Sequence, residues 1–306
     1  MEIFLTLLLK LVPLYVLIAI GLIAAKYLKA QKETVSSLLI YIIAPIVIFY
    51  GVVQTEITLA LLSLPILFFV LCCLTCGLFY LVGKIFWPKD NTKNILAFTA
   101  GTGNTGYFGL PVALMLFGDQ ALGVVVLSIL GFILYENSLG FFITARGHHT
   151  VKESVVKVLK LPTIYAFILG LALNLGNVEL GEITLTTIGH FKGAYTVLGM
   201  MIIGMGLATV KLNSFDPKFI GLTFFAKFLI WPILIWGIIS LDANSLHFYD
   251  QSIHKIMILM AIVPLAANTV ALATELKVQP EKAAVTVLLS TVFALFYIPL
   301  VVTLLF

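Results

Sequence analysis

Charge is what this sequence has least of. Only 10% of its 306 residues are charged, against 61% hydrophobic, and the mean hydropathy is +1.14. A soluble domain carries about 25% charged residues, so an ordinary soluble enzyme, a disordered chain and a nucleic-acid binder are excluded. The formal charge of +4 does not revive the last of these, because the basic residues are scattered over many short segments. Long polar insertions are missing as well. The longest polar break, 144–160, is about seventeen residues and leaves no room for a soluble domain. Cysteine is scarce: Cys72, Cys73 and Cys76 all sit in the apolar run LFFVLCCLTCGLFYLV. The C-x-x-C of Cys73 and Cys76 therefore lacks the polar, accessible setting that redox or metal chemistry needs. No HExxH, GxSxG or paired-aspartate motif is present, which leaves an intramembrane enzyme built on Glu136 or His190 without support. His148 and His149 lie in a basic segment and read as solvated residues. No secretory signal stands out, since the first apolar run is too long and Glu2 replaces a basic start.

What the sequence has is apolar runs. Ten of them, 3–25, 34–53, 58–83, 92–118, 120–145, 161–176, 184–209, 216–240, 254–276 and 282–306, are separated by short polar breaks. A membrane-spanning helix needs about 20 residues, so the expected fold is an all-α integral membrane protein of ten transmembrane helices in the lipid bilayer. Of the 18 lysines and arginines, all but Lys10, Lys192, Lys227 and Lys255 fall in, or at the edge of, the first, third, fifth, seventh and ninth breaks. Basic loops stay in the cytoplasm. This places the protein in the plasma (bacterial inner) membrane, with both termini outside.

A faint internal repeat runs through the chain. Asn104-Thr105 in the fourth run matches Asn268-Thr269 in the ninth, and similar Val/Leu/Ser stretches follow in each. Residues 1–145 and 161–306 then form two five-helix repeats around a cytoplasmic linker, 146–160. An odd number of spans per repeat inverts one copy relative to the other, as in secondary transporters.

Both matching runs should be broken. Gly101, Gly103, Gly106 and Gly109 crowd the middle of the fourth, followed by Pro111; the ninth holds Pro264 ahead of Asn268. Glycine costs a helix interior about 1 kcal/mol and proline about 3. Open backbone at mid-membrane is tolerated only against protein or a watery cavity. The N-terminal ends of broken helices carry partial positive charge and suit a carboxylate. Asn104, Thr105, Gly106, Pro111, Pro264, Asn268 and Thr269 are therefore the candidate residues for binding a small organic anion. The literal G-x-G-x-x-G of Gly101–Gly106 is not a nucleotide site: no strand precedes it, and position 126, where an acidic residue would be expected, is Val126.

Four ionisable residues fall well inside runs: Lys10, Glu136, Lys192 and Lys227. Glu136 and Lys227 lie at similar depth. They are expected either to form a buried ion pair or to divide the work, with Glu136 as proton carrier and Lys227 as counter-charge to the substrate. If the coupling ion is a proton, Glu136 is the candidate carrier. If it is sodium, the opened carbonyls of Gly101–Thr105 and Pro264–Asn268 are the candidate ligands. No metal or organic cofactor is indicated.

The run GNTGYFGLPVALMLFG, the later Pro264 and Asn268, and KFLIWP from Lys227 to Pro232 resemble the auxin efflux carrier family across essentially the whole chain. That family includes plant auxin exporters and bacterial permeases for malate, malonate and similar acids. The resemblance implies a scaffold of spans 1, 2, 6 and 7, and a transport domain of spans 3–5 and 8–10. It also implies crossing broken helices 4 and 9 at the substrate site, elevator-like movement, and a homodimer. The short central loop favours a compact bacterial-type permease over an auxin exporter. A ligand sensor that keeps the transporter fold without moving substrate stays open at this point.

Overall fold

The computed structural model describes residues 2–145, 151–208 and 215–305, and every regular element among them is helical. In chain order these are α1 (Glu2–Tyr27), α2 (Lys32–Leu38), α3 (Ala44–Val53), α4 (Leu59–Phe86), α5 (Thr92–Ala100), α6 (Leu110–Phe117), α7 (Leu122–Asn137) and α8 (Leu139–Thr144). There follow α9 (Val151–Leu159), α10 (Pro162–Leu175), α11 (Glu182–Leu207), α12 (Pro217–Phe225), α13 (Trp231–Leu241), α14 (Gln251–Ile262), α15 (Ala267–Glu275) and α16 (Pro280–Leu305).

Local chemistry sets many of the boundaries. The Thr58 hydroxyl accepts the Leu61 N–H at 3.2 Å and starts α4. Asp216 accepts the N–H groups of Lys218 and Phe219 at 3.1 Å, with Pro217 in the first turn of α12. Asp250 accepts from Ile253 at 2.8 Å and starts α14. Caps of this kind are worth about 1 kcal/mol each. Three π turns, Leu39–Ile43, Thr105–Gly109 and Ala226–Ile230, run into helices whose first turn holds Pro45, Pro111 and Pro232. Proline lacks an N–H and crowds the carbonyl four residues back. The wider turn ahead of it absorbs that misfit.

Among the described residues, six continuous helical stretches are long and apolar enough to cross a membrane: Ile3–Tyr27, Lys32–Val53, Leu59–Phe86, Asp119–Thr144, Pro217–Leu246 and Pro280–Leu305. The pair α14 and α15, bent by 45° at its break, makes a seventh. α10 is apolar but short, and α11 is long but carries His190 and Lys192. Large apolar side chains such as Leu9, Val16, Leu74, Leu81, Trp236 and Phe296 are exposed on these helices. They form the face that meets lipid in a multi-pass membrane protein.

α1 and α11 lie so close that a β-carbon at Gly21 or Gly204 would run into the other helix's main chain, at Met201 and Ile18 respectively. Small residues allow such backbone approach where lipid supplies no hydrophobic drive. α3 packs on α10 and α11, and Asn174 of α10 donates to the carbonyls of Val52 (3.0 Å) and Thr55 (2.8 Å). A second cluster joins α4, α5, α7, α13 and α14. Its core is a row of rings: Phe68 and Phe132 with centroids 5.2 Å apart, then Phe132 and Trp231 at 5.5 Å.

The 146–160 segment, expected as a plain linker, contains helix α9. Its apolar residues Val151, Val155, Val158 and Leu159 recur at helical spacing, with Lys152 between them. Residues 146–150, with Arg146, His148 and His149, lie outside the described residues. So do Lys211 and the terminal residues Met1 and Phe306.

Candidate functional site

α5 stops at Ala100, the chain runs open through Thr102–Asn104, and helix resumes at Thr105. α14 stops at Ile262, and Val263 turns extended (φ −59°, ψ 153°) ahead of Pro264, as a residue before proline is pushed to do. Helix resumes at Ala267. The two openings touch: the Asn104 N–H donates to the Pro264 carbonyl at 2.8 Å. Nearby backbone groups are satisfied within the protein. Leu265 N–H donates to Ser290 Oγ at 3.1 Å, Gly109 N–H to Asn104 O at 2.8 Å, and Trp231 Nε1 to Ala100 O at 2.8 Å. This is the internal pairing that a break away from water requires.

Beside the contact lies a cavity of about 230 Å³, walled by residues of both breaks, by α7 and α15, by the start of α10 and by Tyr195 of α11. Asn104, Thr105 and Gly106 line it from one side, and Asn268, exposed into the cavity, from the other. The first N–H groups of each restarted helix have no partner within their own helix. Three buried donors in this region lack a hydrogen-bond partner: Asn104 Nδ2, Thr163 Oγ1 and Thr269 Oγ1. Buried polar groups are nearly always paired. Asn104 and Thr163 both line the cavity, so a bound acceptor there would satisfy them.

Glu136 and Lys227 do not form the expected ion pair. Glu136 faces the cavity, where its Oε1 accepts the Thr102 hydroxyl and its Oε2 accepts Asn268 Nδ2 at 2.8 Å. Lys227 is fully buried on the far side of the first break. Its ammonium donates to the Met260 carbonyl at 3.3 Å and stands 4.9 Å from the centre of the Trp231 ring. Phe132, one turn before Glu136 on α7, offers its own ring to Lys227 at 5.9 Å. Equal depth gave the two side chains a common height, but their helix faces point different ways. Met260 lies in the last turn of α14, so the lysine charge sits at the negative end of a half-helix. Gly103 makes room for it, since a β-carbon at position 103 would collide with Lys227 Nζ.

Residues 6–302 match the family described as membrane transport protein. The chain belongs to this family, that of the auxin efflux carriers. It is 27% identical over 280 residues to an uncharacterized transporter of Methanocaldococcus jannaschii, covering 88% of each chain. It is also 25% identical over 299 residues to an uncharacterized transporter of Methanothermobacter thermautotrophicus, covering 94% of this chain and 92% of the relative. A membrane transporter, and no enzyme, is what membership in the auxin efflux carrier family describes.

In this family member, Asn104, Thr105, Gly106, Asn268 and Glu136 are gathered around one cavity, while Pro111, Pro264, Thr269 and Lys227 are not among its lining residues. Pro264 instead accepts the Asn104 N–H, and Thr269 N–H donates to Ala266 O at 3.0 Å. Among the described residues no group of acidic, histidine or cysteine side chains is arranged to hold a metal. Sequence reasoning missed Thr102, Tyr107, Thr163 and Tyr195. Tyr107 lies within the glycine-rich motif and was within reach of it. Thr163 and Tyr195 come from α10 and α11, and nothing local in the sequence marks them.

A second cavity, of about 560 Å³, lies at the opposite end of α7, near Leu122 and Val124. There Lys192 of α11 pairs with Asp119 at 2.6 Å, beside Tyr50, Gln54 and Glu56.

Proposed function

We propose that the protein is a secondary transporter of small organic anions such as carboxylates, with the substrate held where the two broken helices cross. The observation that carries this reading is the Asn104 N–H to Pro264 carbonyl contact. Through it, two helix N-terminal ends and the amides of Asn104 and Asn268 open into one cavity. N-terminal helix ends and amide donors suit a carboxylate.

The finer architecture is part of the proposal: ten spans in two inverted five-helix repeats, in the plasma membrane, with both termini outside. α1, α2–α3, α10 and α11, which pack largely on one another, are the scaffold. The remaining helices, apart from the linker helix α9, carry the substrate in an elevator-like movement, and two copies form a homodimer. The cavity borders Leu161 and Glu275, at the end of the helices that carries the basic loops. In this reading that cavity faces the cytoplasm. At the other end, beside the second cavity, the Lys192–Asp119 pair bridges scaffold and moving part.

Uptake of labelled mono- and dicarboxylates into proteoliposomes tests the function and separates a transporter from a sensor. Asn104→Ala and Asn268→Ala should each weaken binding of a transported anion by about 1–3 kcal/mol, the scale of a lost hydrogen bond to a charged group. Unchanged affinity in both variants would reduce the breaks to structural kinks.

A further inference from the structure

Glu136 already occupies the place that an incoming carboxylate needs. Its Oε2 takes the Asn268 amide at 2.8 Å, its Oε1 takes the Thr102 hydroxyl, and the carboxyl forms part of the cavity wall beside Asn104 and Thr105. A substrate carboxylate seeks the same donors. Two carboxylates sharing one site cannot both remain ionised.

Among the described residues, no basic side chain contacts Glu136 to offset the second charge. The titratable groups around Glu136 are Cys72 from α4, Tyr107 from the first break, Tyr195 from α11 and Glu275 from α15. None is basic. Lys227 has its ammonium turned to the Met260 carbonyl and the Trp231 ring. Tyr50, Asp119, Lys192 and Asp250 line the outer cavity at the other end of α7, and Lys152 of α9 is exposed. α6 and α8 carry no titratable residue.

The alternative coupling ion, sodium, finds little prepared. Of the opened carbonyls, those of Gly103, Asn104 and Pro264 each already accept an N–H, and among the described residues no group of acidic, histidine or cysteine side chains is arranged to hold a metal.

We propose that Glu136 takes up one proton as the anion binds, so that the protein carries its organic anion together with a proton and without sodium. This rests on the anion reading above. A hydronium ion on the side to which the cavity opens gives up the proton, which forms an O–H bond on Glu136 and leaves water behind. The neutral carboxyl keeps one oxygen as acceptor for Thr102 and turns its O–H toward the substrate carboxylate, while Asn268 Nδ2 passes from Glu136 to the substrate. On the opposite side the anion leaves, the O–H bond breaks, the proton returns to water, and Glu136 regains Asn268.

The test is calorimetric titration of the purified wild-type protein with bicarbonate, acetate, malonate and malate, in buffers of different ionisation enthalpy. For an anion that binds, about one proton should be taken up per anion on the alkaline side, where affinity should fall about tenfold per pH unit. In Glu136→Gln both the proton uptake and the pH dependence should vanish. In proteoliposomes, an acid-outside gradient should drive uptake of the same anion equally in choline and in sodium medium. Binding without proton uptake by the wild type, or binding that requires sodium, would overturn the proposal and leave the anion reading standing. Binding of none of the four anions would overturn both. A wild-type protein that takes up no proton refutes the proposal even if Glu136→Gln fails to fold.

Discussion

Replacing Lys227 by methionine separates the observed arrangement from an ion pair. The side chain is fully buried, with one carbonyl acceptor and one aromatic face for its ammonium. A hydrogen bond from a charged donor is worth about 1.5–3 kcal/mol, and a desolvated cation–π contact about 2 kcal/mol. Against these stands the desolvation of a buried ammonium, several kcal/mol in real proteins. Methionine fills nearly the same volume without that cost. Lys227→Met should therefore stay within about 1–2 kcal/mol of the parent in stability. Thermal unfolding in detergent, followed by fluorescence, reads this in a mutant cycle. With Glu136→Gln the effects should add within about 0.5 kcal/mol, since the two residues share no direct contact. With Gly103→Ala they should not: the added methyl collides with Lys227 Nζ, so the double variant should recover part of the Gly103→Ala loss. A Lys227→Met loss of about 3–5 kcal/mol that Glu136→Gln relieves is the signature of a broken buried pair, and would refute this arrangement.

Three further outcomes are expected. Charge reversal at Lys192 or Asp119 should leave the outer end more accessible, as read by thiol labelling of a cysteine placed at Tyr50. Exchanging the two charges should restore protection, and equal labelling in all variants would remove the latch. Cysteines at Gly147 and Leu180 should label from the cytoplasmic and external sides respectively, and labelling of both from one side would sink the topology. Asp90 lies in the loop between α4 and α5. Burial acts to raise its carboxyl, but the Thr92 N–H at 3.0 Å, the Thr92 hydroxyl at 2.9 Å and the nearby Lys282 charge outweigh burial and hold it below the ordinary carboxylate range. Its contribution to stability is then present above the unfolded-state value and lost as pH falls through the folded one. Asp90→Asn should flatten the acid limb of the unfolding profile, and an unchanged limb would discard the role.

The parts of this protein that rest on local chemistry were legible in its sequence. Apolar run length announces helices fit for a bilayer. A cluster of glycines ending in proline, and a lone proline ahead of Ala-Ala-Asn-Thr, announce where helices must open, because the cost of Gly and Pro in a helix is paid within the same turn. Asn104, Thr105, Gly106 and Asn268 could be named for that reason. Tertiary structure alone decided which way side chains face and which distant segments meet. Glu136 and Lys227 share a depth, but depth leaves rotation about the helix axis free. That rotation was set by the packing of α7 against α4 and by the ring row of Phe68, Phe132 and Trp231. The contact from Asn104 to Pro264 joins residues far apart in the chain, as do Thr163 and Tyr195 in the cavity wall and Lys192 against Asp119. Such contacts form when separately stable helices pack, and no periodicity within one helix encodes its partner.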